Sequence, residues 1–280
     1  MIVSVASGKG GTGKTTVAVS LALSIENSQI IDCDVEEPNV SLFLNPEIEE
    51  KIEVKTLIPE VDKNKCNYCG FCSQICAYNA LSVIKLDSHG DVLLFPHLCH
   101  GCGGCILLCP ENAMKTGYRT VGEITKGYKE NIEFIEGRLN ISEVLAPKVI
   151  EEAKKLIKPD KIAIIDAPPG TSCPAVAAIK GSNFCLLVTE PTPFGLHDLE
   201  LAYEVTKAVK VPVAVIINKS ENDKIIEDFC EKNIIPILMK IPFQRKIAEL
   251  YSKGVPLVSG MPEYKEKFQS LIDFIKGIEK

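Results

Sequence analysis

A chain of 280 residues with 46% hydrophobic side chains and a net charge of −6 has the balance of a soluble globular protein. The acidity argues against nucleic acid as the main partner, because phosphate binding needs a clustered basic surface. The lack of any run of about 18 apolar residues argues against stable membrane insertion. Twelve cysteines, eight of them between Cys66 and Cys109, are too tightly grouped for a secreted disulfide framework and point to metal in a reducing compartment.

In chain order, MIVSVA lacks a basic leader and a cleavage site, and reads as the buried first strand of a cytoplasmic chain. A Gly-rich loop follows, then an amphipathic stretch from Thr15 to Glu26 and a second apolar strand, QIIDCD. From about Glu60 to Thr116 the pattern breaks into Cys- and Gly-rich sequence with no long helical period. Two similar halves lie there, CNYCGFCSQICAYNAL from Cys66 and CHGCGGCILLCPENAM from Cys99, an internal repeat of about 33 residues. Helical segments then resume at Pro147–Lys158, Leu196–Val209 and Lys224–Lys232, alternating with the strands KIAIIDA, FCLLVTE and VPVAVIIN. Strands this continuously apolar are buried on both faces. The alternation predicts a doubly wound, mainly parallel α/β domain over 1–60 and 119–280, interrupted by a small α+β ferredoxin-like module over 61–118.

The first strand runs into SGKGGTGKTT, the glycine–four–glycine–lysine–threonine pattern in its required strand–loop–helix setting. Gly8, Gly10, Gly11 and Gly13 let the backbone N–H groups around Thr12 converge on phosphate oxygens, and the helix after Thr16 presents its positive end. Lys14 neutralises the β/γ-phosphates and the Thr15 hydroxyl ligates Mg2+. ATP with Mg2+ is therefore the expected ligand.

Cys66, Cys69, Cys72 and Cys76 form a C-x2-C-x2-C-x3-C run that Cys99, Cys102, Cys105 and Cys109 repeat, the spacing of bacterial two-cluster ferredoxins. Three thiolates of each run hold one 4Fe–4S cluster and the fourth reaches the other. The expected sets are thus Cys66, Cys69, Cys72 with Cys109, and Cys99, Cys102, Cys105 with Cys76. Paired zinc sites also use close C-x2-C pairs, but zinc would leave half of the repeated thiols idle. The first run has Ala77 where the second has Pro110, a departure that touches no ligand. His97 and His100, flanking Cys99, read as exposed loop histidines.

With its extra lysine, Lys9, the KGGTGKT loop resembles the deviant phosphate loop of the MinD/ParA/nitrogenase-iron-protein family of ATPases. That resemblance implies an ATP-sandwiched homodimer in which Lys9 reaches the partner's nucleotide; otherwise Lys9 is a solvent-facing loop residue. It also implies that Asp34, in IIDCDVEEPN with Asp32, positions the attacking water on the first switch. Asp166, in IAIIDAPPGT, looks like the magnesium-side aspartate of the second switch, with Gly170 near the γ-phosphate. Asn218, in VPVAVIINKS, resembles the asparagine on the adenine edge, and IPFQRKIAELYSKGVPL resembles the last strand and adenine-side helix. Cys173 falls where the nitrogenase iron protein carries a cluster ligand, although a small idle thiol at a helix start is the alternative reading.

Together these features predict an ATP hydrolase switch gating electron transfer to an unidentified redox protein or metalloprotein client. A Mrp-like cluster carrier is the alternative, weakened by the absence of cysteine beyond Cys230. A MinD-like positioning switch is another. The tail EKFQSLIDFIKGIEK has an apolar stripe, but its polar face mixes Asp273 and Glu279 with lysines, which predicts a helix packed on the sheet. Four lysines in 61–118 balance four acids, Asp62, Asp87, Asp91 and Glu111, and so give no sign of a partner's charge.

Overall fold

The computed structural model describes residues 1–86 and 89–278; Asp87 and Glu279, counted above, lie outside them. The strands are β1 (Ile2–Ala6), β2 (Ser28–Asp32), β3 (Glu47–Val61), β4 (Leu81–Lys85), β5 (Gly90–Leu94), β6 (Met114–Lys129), β7 (Ile132–Leu139), β8 (Ile162–Asp166), β9 (Phe184–Thr189), β10 (Val213–Ser220) and β11 (Ile237–Pro242). The helices are α1 (Lys14–Leu23), α2 (Val40–Leu44), α3 (Phe71–Gln74), α4 (Gly104–Leu107), α5 (Ala146–Lys154), α6 (Cys173–Ile179), α7 (Pro193–Ala208), α8 (Lys224–Lys232), α9 (Arg245–Ser252), α10 (Leu257–Gly260) and α11 (Glu263–Ile278).

Nine strands form one sheet in the order β11-β10-β9-β1-β8-β2-β7-β6-β3. From β11 to β7 every pairing is parallel, so each strand needs a crossover and each face a covering of helices. Consecutive residues split between the two layers. Ile30 and Ile164 pack with Val17, Leu21 and Phe268 on one side, whereas Ile31 and Ile165 pack with Ile150, Leu199 and Ile226 on the other. This is the mainly parallel α/β architecture expected from the apolar runs. α8 spans the expected residues, and α7 starts earlier because Pro193 opens it and the Thr192 hydroxyl accepts the Gly195 N–H. α1 stops short of Glu26, where the Ser24 hydroxyl turns back to the Ser20 carbonyl at 2.7 Å. The apolar stripe of the tail is buried in α11, with Phe268 and Ile275 fully enclosed. Among the described residues no helix is long and apolar enough to cross a membrane.

The sheet also carries three strands that the apolar runs did not announce. β6 and β7 pair antiparallel, and β3 pairs antiparallel with β6 from Glu47↔Tyr128 to Val61↔Met114. Strands β3 and β6 therefore run continuously through 60/61 and 118/119 as a long ribbon, with the Cys-rich segment at its far end.

The internal repeat is visible in three dimensions. α3 and α4 are separated by the same offset as the two cysteine runs, and so are the pairings Leu81↔Leu94 and Val61↔Met114. The β4–β5 ladder is thus the counterpart of the distal end of the ribbon. Gly70 (φ 79°) and Gly103 (φ 74°), equivalent positions in the two halves, each enter a one-turn helix left-handed, a conformation that glycine alone adopts at no steric cost.

Candidate functional site

The phosphate loop leaves β1 at the centre of the sheet and is clasped by its surroundings. A Cβ on Gly8 would lie 2.0 Å from the Asp198 carbonyl oxygen of α7, so no other residue fits there. Gly10 and Gly11 face open space, where backbone N–H groups can meet phosphate. Lys14 is buried, and desolvation lowers its pKa against the opposing pull of Asp166, Asp34 and Asp32. The Thr12 hydroxyl is buried without a partner. Thr16, in the first turn of α1, borders an apolar cleft with Phe43, Leu250 and Tyr251.

Three carboxylates converge beside this loop. The Thr15 hydroxyl donates to Asp166 Oδ2 at 2.6 Å, while the buried Asp166 Oδ1 has no partner. Burial pushes Asp166 up to about 7, with Thr15 and Lys14 pulling it back. A hydroxyl and a half-satisfied buried carboxylate suit a hard cation that prefers oxygen ligands, and the lysine with the open glycines suits its phosphates. Residues and ligand fit. Asp32 serves a different purpose: its carboxylate accepts the N–H groups of Asp34, Asn39 and Val40 at 3.0, 2.9 and 2.9 Å. It thereby folds the segment that presents Asp34. Asp34 is half-buried and pushed up to about 6, mainly by burial, against the pull of Lys14.

The remaining candidates occupy specific contacts. The Lys9 ammonium stands 3.7 Å from Glu190 of its own chain. The Gly170 N–H donates to the Ser7 carbonyl at 3.0 Å, so the segment after Asp166 is tied to the head of the phosphate loop by an amide that is already used. Asn218 Nδ2 donates to the Thr12 carbonyl at 2.8 Å, and a Cβ on Gly13 would meet that amide at 2.4 Å. Asn218 therefore braces the loop. Cys173 is exposed at the start of α6, whereas Cys33, Cys185 and Cys230 are buried; burial pushes Cys185 up to about 12 and Cys230 up to about 11, which keeps both as thiols.

At the end of the ribbon the eight cysteines rim two clefts. Cys66, Cys69 and Cys72 line one together with Cys109. Cys99, Cys102 and Cys105 line the other together with Cys76. Each run lends its fourth cysteine to the opposite cleft. The Sγ atoms of these exchanged residues accept backbone N–H groups four positions on, Ala80 to Cys76 and Ala113 to Cys109, both at 3.3 Å. Among the described residues no three His, Cys, Asp or Glu side chains gather closely enough to chelate a single ion. Instead, four thiols are spread around each cleft. Burial and the neighbouring Cys99 and Cys102 push Cys105 up to about 11, so without a bound metal it stays a thiol at neutral pH. The Tyr78 and His100 rings stack at 3.7 Å beside the second cleft, which gives His100 a partner that its loop position did not suggest.

Sequence reasoning passed over Glu190, which pairs with both Lys9 and Lys219. Its place at the end of an apolar strand, like that of Asp166, was the available signal. It also passed over Arg119, whose guanidinium pairs with Glu143 and donates to the Cys99 carbonyl at 3.4 Å; nothing local in the sequence marks it.

Residues 3–257 match the model of the CobQ/CobB/MinD/ParA nucleotide-binding domain. The chain belongs to that family. As a member of the MinD/ParA P-loop group it is an ATP hydrolase. It is 34% identical to an uncharacterised protein of Methanocaldococcus jannaschii over 91% of this chain and 90% of that one. It is 26% identical to the iron–sulfur cluster carrier protein of Pyrococcus abyssi, over 99% of this chain and 88% of the relative. The septum site-determining protein MinD of Pyrococcus horikoshii, solved with Mg-ADP, superposes over 100% of this chain and 98% of its own with a TM-score of 0.60 at 22% identity, a likeness of fold.

Proposed function

We propose that this MinD/ParA-type ATPase is a dimeric, cytoplasmic switch that carries two resident 4Fe–4S clusters and gates one-electron transfer to a partner protein. The observation that carries this reading is the exchange of cysteines between two clefts, at the end of a ribbon rooted beside the first switch. Cys66, Cys69, Cys72 and Cys109 would hold one cluster, and Cys99, Cys102, Cys105 and Cys76 the other. Such clusters supply one-electron transfer, at potentials set by hydrogen bonding, charge and exposure. The chain contributes N–H donors to the exchanged sulfurs and turns of glycine that bring the backbone close.

At the nucleotide, Lys14 and the loop amides bind phosphate, Thr15 and Asp166 hold the cation, and Asp34 orients water. Lys9 exchanges Glu190 for the partner subunit's nucleotide when the dimer closes, and Asn218 keeps the loop in register beneath the base. Loss of the terminal phosphate relaxes the segment folded by Asp32, which is the usual output of such switches.

Similarity to the Pyrococcus abyssi carrier supports a second reading, in which the clusters are cargo. Interleaved ligands favour retention. Anaerobic reconstitution followed by iron and sulfide analysis separates the possibilities. About eight irons per chain, retained when Mg-ATP and an apo-ferredoxin are added, is the expected result. Zinc in place of iron would overturn the cluster reading, and ATP-driven release to the acceptor would favour the carrier.

A further inference from the structure

The first switch meets the β3–β6 ribbon midway along its length and the cysteine clefts lie at its far end, yet an unbroken series of contacts joins them. It starts at Val35, next to Asp34 on the first switch. The Val35 carbonyl accepts the N–H of Leu139, the last residue of β7, at 2.8 Å. Asn140 follows, donating its N–H to the Val121 carbonyl at 3.0 Å and its side-chain amide to the Thr120 carbonyl at 3.2 Å, both on β6. The Asn140 carbonyl in turn accepts the Glu143 N–H at 3.1 Å. The Glu143 carboxylate is paired with Arg119, and Arg119 Nη2 reaches the carbonyl of Cys99, a residue of the second cleft.

We propose that Arg119, held by Glu143, is the positioning residue through which the first switch acts on the Cys99 cleft. This rests on the cluster reading above only for what the cleft holds, not for the mechanical link.

The physical case has three parts. First, the path has little slack. A Cβ on Gly137 would lie 2.9 Å from a Val35 side-chain methyl, and one on Gly122 would lie 2.4 Å from the Arg138 carbonyl oxygen, so neither position on the path has room for a side chain. A displacement of the first switch is passed on because close-packed elements do not compress. Second, the ion pair is sheltered, with side-chain exposures of 14% for Arg119 and 7% for Glu143, which strengthens it relative to the surface pairs elsewhere on the ribbon. Third, it is joined on one side only. Arg119 Nε and Glu143 Oε2 are both buried without partners, leaving unmade the second bond of the fork that an arginine and a carboxylate can form. A small movement of the Asn140–Glu143 turn can therefore re-seat the guanidinium without breaking the pair, and carry the positive charge toward or away from the Cys99 carbonyl.

The variants to make are Arg119→Gln, Glu143→Gln and the double. Spatial continuity alone does not establish coupling, so the primary readout is hydrogen exchange of the full chain over 97–105, with and without a non-hydrolysable ATP analogue. This works whether or not iron is bound. In wild type the nucleotide should change exchange in that segment. The change should be lost in each single variant and no further altered in the double, with ATP turnover and nucleotide affinity retained. In the reconstituted protein, the same variants should remove the nucleotide-dependent shift in potential of one cluster and leave the signal of the other, bounded by Cys66, where it was. Wild type with no nucleotide response at 97–105, or variants that keep it, would overturn the proposal. Failure to bind iron with the exchange response intact would count against the cluster reading and leave this link standing.

Discussion

Replacing Asp166 with asparagine separates what the nucleotide site costs from what it does. Asp166 is fully buried, and desolvation raises its pKa from 3.8 to about 7. The folded chain therefore binds this proton more tightly than the unfolded chain does, and at pH 8 keeping the group ionised costs about 2–4 kcal/mol of stability. In Asp166→Asn the amide oxygen can still accept the Thr15 hydroxyl. Its new N–H group brings back about 1–2 kcal/mol if left unsatisfied. The nucleotide-free variant, in chelator at pH 8, should thus be more stable than wild type by about 1–2 kcal/mol, a rise in Tm of roughly 2–8 °C. The sign fixes the pH dependence: the destabilisation in wild type is complete above pH 7 and relaxes as the pH falls toward 4, so the advantage of the variant should shrink across that window. Addition of Mg-ATP should reverse the order, since wild type gains binding energy that the variant loses. Calorimetry at pH 8 and pH 5, with and without Mg-ATP, tests all of this. A variant less stable than wild type at pH 8 without nucleotide, or an advantage independent of pH, would rule out a buried-charge cost at Asp166.

Three further outcomes follow from the same contacts. Lys9→Ala should bind ATP normally yet fail to dimerise with it, as read by analytical ultracentrifugation; ATP-dependent dimers of that variant would leave Lys9 as a partner only of Glu190. Changing Cys66 and Cys99 together to alanine should render 62–113 protease-sensitive while ATP binding persists. The segment's apolar side chains are largely half-exposed, with Phe95, Leu98 and Leu107 at 45, 47 and 84%, leaving little core once the metal is gone. Phe268→Ala, which empties a fully buried position on α11, should lower stability by about 3–5 kcal/mol in denaturant titrations, an effect that a peripheral membrane-seeking helix would not show.

The buried half of the fold was legible because its strands are nearly continuous Val, Ile and Leu and its helices have clear apolar stripes. The ribbon was not. β3 is an edge strand, and Glu47, Glu49, Glu50, Lys51, Glu53 and Lys55 crowd its solvent-facing stretch. Charge that protects an edge from association also hides the alternation that would identify a strand. The phosphate loop and the cysteine runs could be read directly because each is a local pattern of fixed spacing. Asp32 illustrates the limit. The sequence places it with Asp34 at a strand end, and only the three N–H groups it accepts show that it shapes the switch while Asp34 faces the site. Arg119 and Glu143 carry no signal in the sequence, because their meaning lies in a contact between a residue of β6 and a turn that follows β7.

The proposed switch requires that nucleotide state be felt at the cysteine clefts. An anaerobic redox titration followed by electron paramagnetic resonance, with and without Mg-ATP or a non-hydrolysable analogue, tests it most directly. We expect two 4Fe–4S signals, at least one of which changes in potential or line shape when nucleotide binds. Two signals identical in both states would contradict the claim and leave a ferredoxin merely joined to an ATPase.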